Sequence, residues 1–344
     1  MVSLKVYFFR ACTLALSGIS ANAEPLDKFY EGKIITLVSS TGAGGHHDAM
    51  ARTIAQYMPA HIPGRPSMIV RNMPGAGHVR ATNFMYNQAS SDGLTMATVV
   101  NSVPMHQVLS GEGVLYDAKR FGWVGSTGVT NLTLITWAES EARTIQNARS
   151  SVITLGATGT GSGTFLYPHV MNQTLGTKFK IVMGYKSTQE IDLAMQRGEI
   201  QGRAGGSYAS VLQEHANQLK DGRIIIVAQI GLEKEPKLSH VPLMHELAET
   251  EGDKQLLRFI SSPVKVGRPY FVPPRVSPER LTVLRQAFEA TMLDRGFITT
   301  AEKLQLELLP IGGDELARAV NETLDSPAEL ISRARKAVEP LDTK

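Results

Sequence analysis

The chain has 344 residues, 42% hydrophobic and 19% charged. This is a globular composition sized for two or three domains, which excludes a disordered chain, and glycines without a G-X-Y period exclude a fibre. A formal charge of +3 with no basic tract argues against nucleic acid as the main partner, and a single cysteine excludes an internal disulfide, a thiolate zinc site and an iron–sulfur cluster.

Residues 1–23 read as a signal peptide. Lys5 and Arg10 form a positive end, Ala11–Ala21 is a small apolar run, and Ala21-Asn22-Ala23 is an A-x-A cleavage signal before Glu24-Pro25. The run is too short to cross ~30 Å of hydrocarbon. Cys12, the only cysteine, lies inside the leader. The expected mature chain is a disulfide-free protein of the bacterial periplasm, without a membrane anchor.

Strand patterns fall at Ile34–Ser39, Met68–Asn72, Thr95–Val100, Phe121–Ser126, Val152–Ala157, Ile181–Tyr185 and Arg223–Ile230. The Ile/Val-rich runs are continuous, as in parallel strands buried on both faces. Helical patterns alternate with them at Asp48–Met58, His78–Asn87, Thr164–Leu175, Gln189–Arg197 and Tyr208–Leu219, which predicts an α/β architecture. Four prolines in Pro269–Pro278 suggest an extended segment crossing a surface. Helices are predicted at Glu279–Asp294, Thr299–Leu306, Gly313–Glu322 and Ala328–Ala337, followed by a polar tail, Glu339–Lys344. Trp123 and Trp137 are expected in the core or between lobes.

Two glycine-rich loops carry the candidate chemistry. The first runs through Ser40, Thr41, Gly42, Ala43, Gly44, Gly45, His46, His47 and Asp48, after a strand and into a helix. Glycines bring a ligand close to bare N–H groups, and a helix start adds orphan donors and partial positive charge, so the loop suits an anion. Asp48 also reads as a helix cap. The second loop has the same setting and contains Thr158, Gly159, Thr160, Gly161, Ser162, Gly163 and Thr164. Its spacing is neither G-x-G-x-x-G nor a P-loop, and Ser162 is not in a G-x-S-x-G elbow. Facing each other across a cleft, the loops would grip two ends of one small anion. Arg203, amid glycines, is a candidate carboxylate partner. Tyr185, in Tyr185-Lys186-Ser187, could reach the cleft, while Ser187 reads as a helix N-cap. An imidazole of ordinary pKa at His46 or His47 would strengthen anion binding as pH falls from 8 to 6. Two alternatives use His46, His47 and Asp48: an acid–base hydrolase or lyase, and a metal-binding receptor.

With these loops placed, the chain resembles the Bug family of periplasmic solute receptors of tripartite tricarboxylate transporters. The resemblance is carried by Phe29-Tyr30-Glu31-Gly32-Lys33 before the first strand, Ala43-Gly44-Gly45 with Asp48, and Arg71-Asn72-Met73-Pro74-Gly75-Ala76-Gly77. Further matches are Asp92-Gly93-Leu94-Thr95, Thr158–Thr164, Tyr185-Lys186, Gly198-Glu199-Ile200 and the segment from Pro273-Pro274 to Arg280. His46 and His47 stand where small residues are common. The resemblance implies a two-lobed type II periplasmic-binding fold, each lobe a mostly parallel sheet flanked by helices, with a hinge between. Lobe 1 is expected to comprise residues 24–124 and 229–344, and lobe 2 residues 125–228. It further implies a small carboxylate held largely by backbone N–H groups, no cofactor and no catalysis. Membrane permease subunits or a sensor protein are the implied partners of a monomeric receptor.

Overall fold

The computed structural model describes residues 25–109, 113–128, 131–141 and 143–339; the leader and the last five residues of the tail lie outside them. Apolar runs too buried to alternate assemble into two sheets. The first contains β1 (Ile34–Ser39), β2 (Ser67–Asn72), β3 (Thr95–Thr98), β4 (Gly122–Ser126), β10 (Pro269–Val272) and β11 (Ile311–Gly312), in the order β11-β4-β10-β3-β1-β2. The second contains β5 (Leu132–Trp137), β6 (Ile153–Ala157), β7 (Phe179–Met183), β8 (Gly202–Ser207) and β9 (Ile224–Ile230), in the order β7-β6-β8-β5-β9.

Both sheets are mixed, where mostly parallel ones were expected. β1 runs parallel to β2 and β3, but β10 is antiparallel to both β3 and β4. In the second sheet β6 is parallel to β7 and β8, while β5 is antiparallel to β8 and β9. The chain leaves the first sheet after β4 and returns to it only at β10, which inserts between two strands already aligned.

Four strands, β5, β8, β10 and the two-residue β11, lie outside the runs read from the sequence, and two of them run against their local pattern. The proline-rich segment does not cross a surface: Pro269–Val272 is fully buried in mid-sheet, with its proline at the strand's first residue, where a missing N–H is tolerated. β8, Gly202-Arg203-Ala204-Gly205-Gly206-Ser207, reads as a loop yet lies between β6 and β5. A side chain at Gly202 would collide with the Ile135 carbonyl. The region 208–219 forms two helices, Tyr208–Glu214 and Ala216–Lys220, broken at His215.

The first sheet packs Leu37, Met50, Ile54, Phe288 and Phe297 on one face and Phe121, Trp123 and Phe271 on the other. The second buries Leu155, Tyr167 and Val170 together with Leu256, Leu257 and Ile260 of helix Glu251–Ser261 and Ala334 and Ala337 of helix Ala328–Val338. Of the chain beyond Gln229, expected to join the first lobe, these two helices share a buried cluster with the second sheet and with Met105, Val108 and Leu109. Trp137 is only partly buried, beside Ile135 and Ile191.

Phe271 has no exposed surface, and its ring centroid lies 4.4 Å from that of Phe121 and 5.1 Å from that of Trp123. Phe271→Ala is expected to cost about 3–5 kcal/mol of unfolding free energy in chemical denaturation. A loss below ~1 kcal/mol would place this segment on the surface after all.

Candidate functional site

The first glycine loop is fixed by one carboxylate. Asp48 Oδ2 accepts hydrogen bonds from Gly44 N (3.0 Å) and Arg52 Nε (2.8 Å), and Oδ1 accepts one from Asn72 Nδ2 (2.7 Å). The same amide nitrogen donates to Thr41 O (3.0 Å). Burial by itself would raise the Asp48 pKa, but these donors outweigh it and hold the carboxyl below its ordinary range. Asp48 is thus a helix-start and loop fastener. Helix His46–Tyr57 starts at Gly45 with its N-terminus held by this clamp.

The Met73-Pro74-Gly75-Ala76-Gly77 segment then turns through left-handed backbone: φ is +135° at Gly75, +47° at Ala76, +57° at Gly77 and +79° at His78. This run brings His78 Nδ1 to Ser40 O (3.1 Å) under the first loop. It also lays Gly77 on the second loop, where a Cβ at Gly77 would sit 2.6 Å from Gly161 N and one at Gly159 would sit 2.8 Å from Gly77 N. Ser102 Oγ donates to Gly161 O (3.0 Å), and His46 Nδ1 bonds Gln213 Oε1, so the two sheets' loops touch on both sides of a cavity.

That cavity measures about 130 Å³, below the roughly 300–1,000 Å³ of drug-sized sites, which limits it to a small molecule. From the first loop Thr41, Gly45, His46 and His47 line it, and from the second Thr158, Ser162, Gly163 and Thr164. Lys186, Ser187 and Gln189 at the start of helix Thr188–Gln196 add donors, and Ser207, Ser210 and Glu214 add a further side. Arg268, just before β10, completes the wall.

Sequence reading missed Arg268, as it missed His78, Ser102, Gln189, Ser207, Ser210 and Glu214 on the same wall. Arg268 is buried, its Nη2 donates to Ser207 Oγ (2.9 Å), and its Nη1 has no hydrogen-bond partner among the described residues. Burial pushes its pKa down, opposed by the field of Glu307. No motif marks it; the only local signal is Gly267 before it, whose φ of +62° and contact with Gly128 O admit no side chain. Burial, with Arg268 second, lowers the His46 pKa to about 4 and that of His47 to about 3, and burial lowers that of His78 to about 4. All three rings are neutral at pH 7.

The other expected site residues lie elsewhere. Ser40 contributes its carbonyl to His78 and keeps its hydroxyl buried without a partner. Gly42 rests against Ser187 of the second loop region, Ala43 and Gly44 are exposed, and Asp48 faces its three donors. Gly159 and Gly161 form the seam with Gly77, and Thr160 is exposed. Tyr185 packs on the Ile135–Ile191 cluster, away from the cavity, because its strand ends at Met183.

Arg203 is fully buried and holds Asp192 through Nε (2.5 Å) and Nη2 (3.1 Å), with Glu214 at 3.5 Å. Burial would lower its pKa, but Asp192 and then Glu214 outweigh that and raise it. Its charge is paired with Asp192 and Glu214, while its Nη1, like that of Arg268, has no hydrogen-bond partner among the described residues. Asp192, Glu214 and His215 come within 4.8 Å of one another, the only metal-like trio among the described residues, and the Arg203 guanidinium already occupies it. His46, His47 and Asp48 form neither a catalytic nor a metal set: His46 bonds Gln213, His47 Nε2 bonds Thr98 Oγ1 (3.2 Å), and Asp48 points away.

Two α/β sheets closing glycine-rich loops around a small cavity define a two-lobed solute-binding fold. The structure of the periplasmic binding protein BugD matches it with a TM-score of 0.71 at 18% identity, over 90% of this chain and 98% of that one. MatC from Rhodopseudomonas palustris, solved with malate, gives 0.69 at 18% identity over 89% and 99%, and a second R. palustris protein, solved with adipate, gives 0.66 at 19% over 89% and 97%. The model of the tripartite tricarboxylate transporter family receptors matches residues 50–335, and the chain belongs to that family. A UPF0065 protein from Agrobacterium vitis, encoded in the TAR-I ttuE-ttuC′ intergenic region, is 26% identical over 160 residues; the match spans 44% of this chain and 45% of that relative.

Neutral histidines remove the expected pH effect: affinity for a fully ionised carboxylate is expected to stay flat from pH 8 to 6 in calorimetric titration. Stability behaves differently. The unfolded chain takes up protons at these rings near pH 6.5 and the folded chain only near 3–4, so stability is lost as pH falls through that window, by up to about 1.4 kcal/mol per pH unit per ring. Denaturation midpoints unchanged between pH 6.5 and 4.5 would contradict neutral burial. For the other arginine, Arg203→Met strands Asp192 and is expected to cost about 3–5 kcal/mol of stability; an unchanged midpoint with lost ligand binding would return Arg203 to the site.

Proposed function

We propose that this chain is a periplasmic receptor that captures a small organic carboxylate between its lobes and delivers it to the membrane subunits of a tripartite tricarboxylate transporter. The observation that carries this reading is Arg268, a buried guanidinium on the cavity wall with an unpartnered Nη1. A buried cation that forms no ion pair and is offset only by the field of Glu307 is costly, and a bound carboxylate supplies a nearer counter-charge. The N-termini of helices His46–Tyr57 and Gly163–Leu175 add backbone donors at the same cavity, and each helix is long enough for its dipole to favour an anion. Membership of the receptor family and the malate and adipate held by neighbours of like fold agree with this ligand class. In this reading residues 1–23 direct export, and the lobes form around the two sheets, with helices Glu251–Ser261 and Ala328–Val338 in the second. It includes no catalytic step.

Mono-, di- and tricarboxylates, tested by thermal unfolding, should include one that stabilises the protein, by about 2.7 kcal/mol at ~100 times Kd. Arg268→Met should leave the free protein as stable or more so, since it removes a buried unpaired charge, while weakening that carboxylate by about 1.5–3 kcal/mol in calorimetry. If the variant binds carboxylates like the wild type, or if only sugars or cations stabilise the wild type, the reading fails.

A further inference from the structure

The wall that holds Arg268 has a second layer. Three chain segments are laced together there by their backbones: Arg268 N donates to Gly128 O (3.1 Å), Thr127 N donates to Arg268 O (3.2 Å), and Leu309 N donates to Thr127 O (3.1 Å). The lacing brings the residues before β11 up to the arginine. A Cβ at Gly128 would lie 2.9 Å from Arg268 Nη1 and 3.3 Å from Glu307 O, so both residues flank one glycine. Glu307 is half-buried and does not line the cavity. Its Oε2, like Arg268 Nη1, is buried without a hydrogen-bond partner among the described residues, so the two groups approach without bonding. Their coupling is electrostatic: the field of Glu307 is the largest influence that opposes the burial of the Arg268 charge. The same field reaches Tyr208 and Glu235, whose pKa values are raised by burial first and then by neighbouring carboxylates. Glu235 has the sign of Glu307 and offers it no counter-charge.

We propose that Glu307 is the internal counter-charge of Arg268 and a brake on anion capture: it offsets the guanidinium while the cavity is empty and competes with an incoming anion for it. A lone buried cation is costly, so the empty receptor is more stable with Glu307 than without it. An anion that enters then meets a cation already partly offset, and gains less than it would from Arg268 alone. The Arg268 charge reaches His46 and His47 on the cavity wall, so a change in its offset is felt where a ligand sits. Glu307 acts through Arg268 and touches no ligand; it is a positioning residue for that charge. The inference rests on the carboxylate reading above and adds what sets the strength of capture.

The test is calorimetry of the full mature chain at pH 7.5 with acetate, malate, adipate and citrate, beside chemical denaturation of the empty protein. Glu307→Gln keeps the shape and removes the charge. The best of these acids should bind it roughly tenfold tighter than the wild type, while the empty variant unfolds at lower denaturant. A merely structural residue would lose affinity and stability together. Glu307→Asp, which keeps the charge, should stay within about threefold of the wild-type affinity. Added to Arg268→Met, Glu307→Gln should change neither affinity nor denaturation midpoint. Should Glu307→Gln not fold alone, the double variant should fold, and its failure to fold overturns the role. If Glu307→Gln binds no tighter than the wild type, or if its effects persist in Arg268→Met, the counter-charge role is overturned and carboxylate capture stands. If none of the four acids binds the wild type or Glu307→Gln, both are overturned.

Discussion

The buried carboxylate of Asp48 is the fastening on which the cavity depends. Taking a carboxylate out of water is expensive unless its lone pairs are filled, and here donors from three chain segments fill them: Gly44 in the loop, Arg52 a turn along the helix and Asn72 at the end of β2. The fastening closes the first glycine loop over its helix and sets where β2 ends. The left-handed turn that follows then presents His78 to the loop and Gly77 to the opposite lobe. The seam between Gly77, Gly159 and Gly161 tolerates no side chain, so these glycines serve the approach of the lobes, while the flanking Thr158, Ser162 and Thr164 line the cavity.

Two buried arginines show how environment assigns roles. Arg203 meets Asp192 bidentately with Glu214 beside it, and its charge is spent within the second lobe. Arg268 donates to a serine hydroxyl, and its Nη1 has no hydrogen-bond partner among the described residues. In a low-dielectric wall that charge acts strongly on whatever enters and on the histidines around it. Its field, added to their burial, keeps His46 and His47 uncharged, so the cavity holds a fixed cation and neutral acceptors in place of several titrating cations.

Much of the frame was legible because its signals are local. Continuous Ile/Val runs located β1, β6 and β9, and helix His46–Tyr57 lies two residues from its expected start. The asparagine of the N-x-P-G-A-G segment and Asp48 stood out through the resemblance, and both are structural fasteners. β8 and β10 were missed because glycine and proline mark loops in an isolated chain; only pairing on both edges, and the lack of room for a Cβ, makes strands of them. Helix Glu251–Ser261 packs with residues nearly a hundred positions away, a partnership no local pattern records.

The sequence by itself determined the α/β class, the two anion-suited loops and the family, since each rests on spacing within a few residues. Only the tertiary structure decided which arginine faces the cavity, which glycines belong to the seam and what charge the histidines carry. The physical reason is that burial and partnership, not residue type, set the electrostatics of a side chain. Arg203 and Arg268 are equally basic in the chain, and differ because Asp192 was folded into hydrogen-bond contact with one of them while the other has only the field of Glu307.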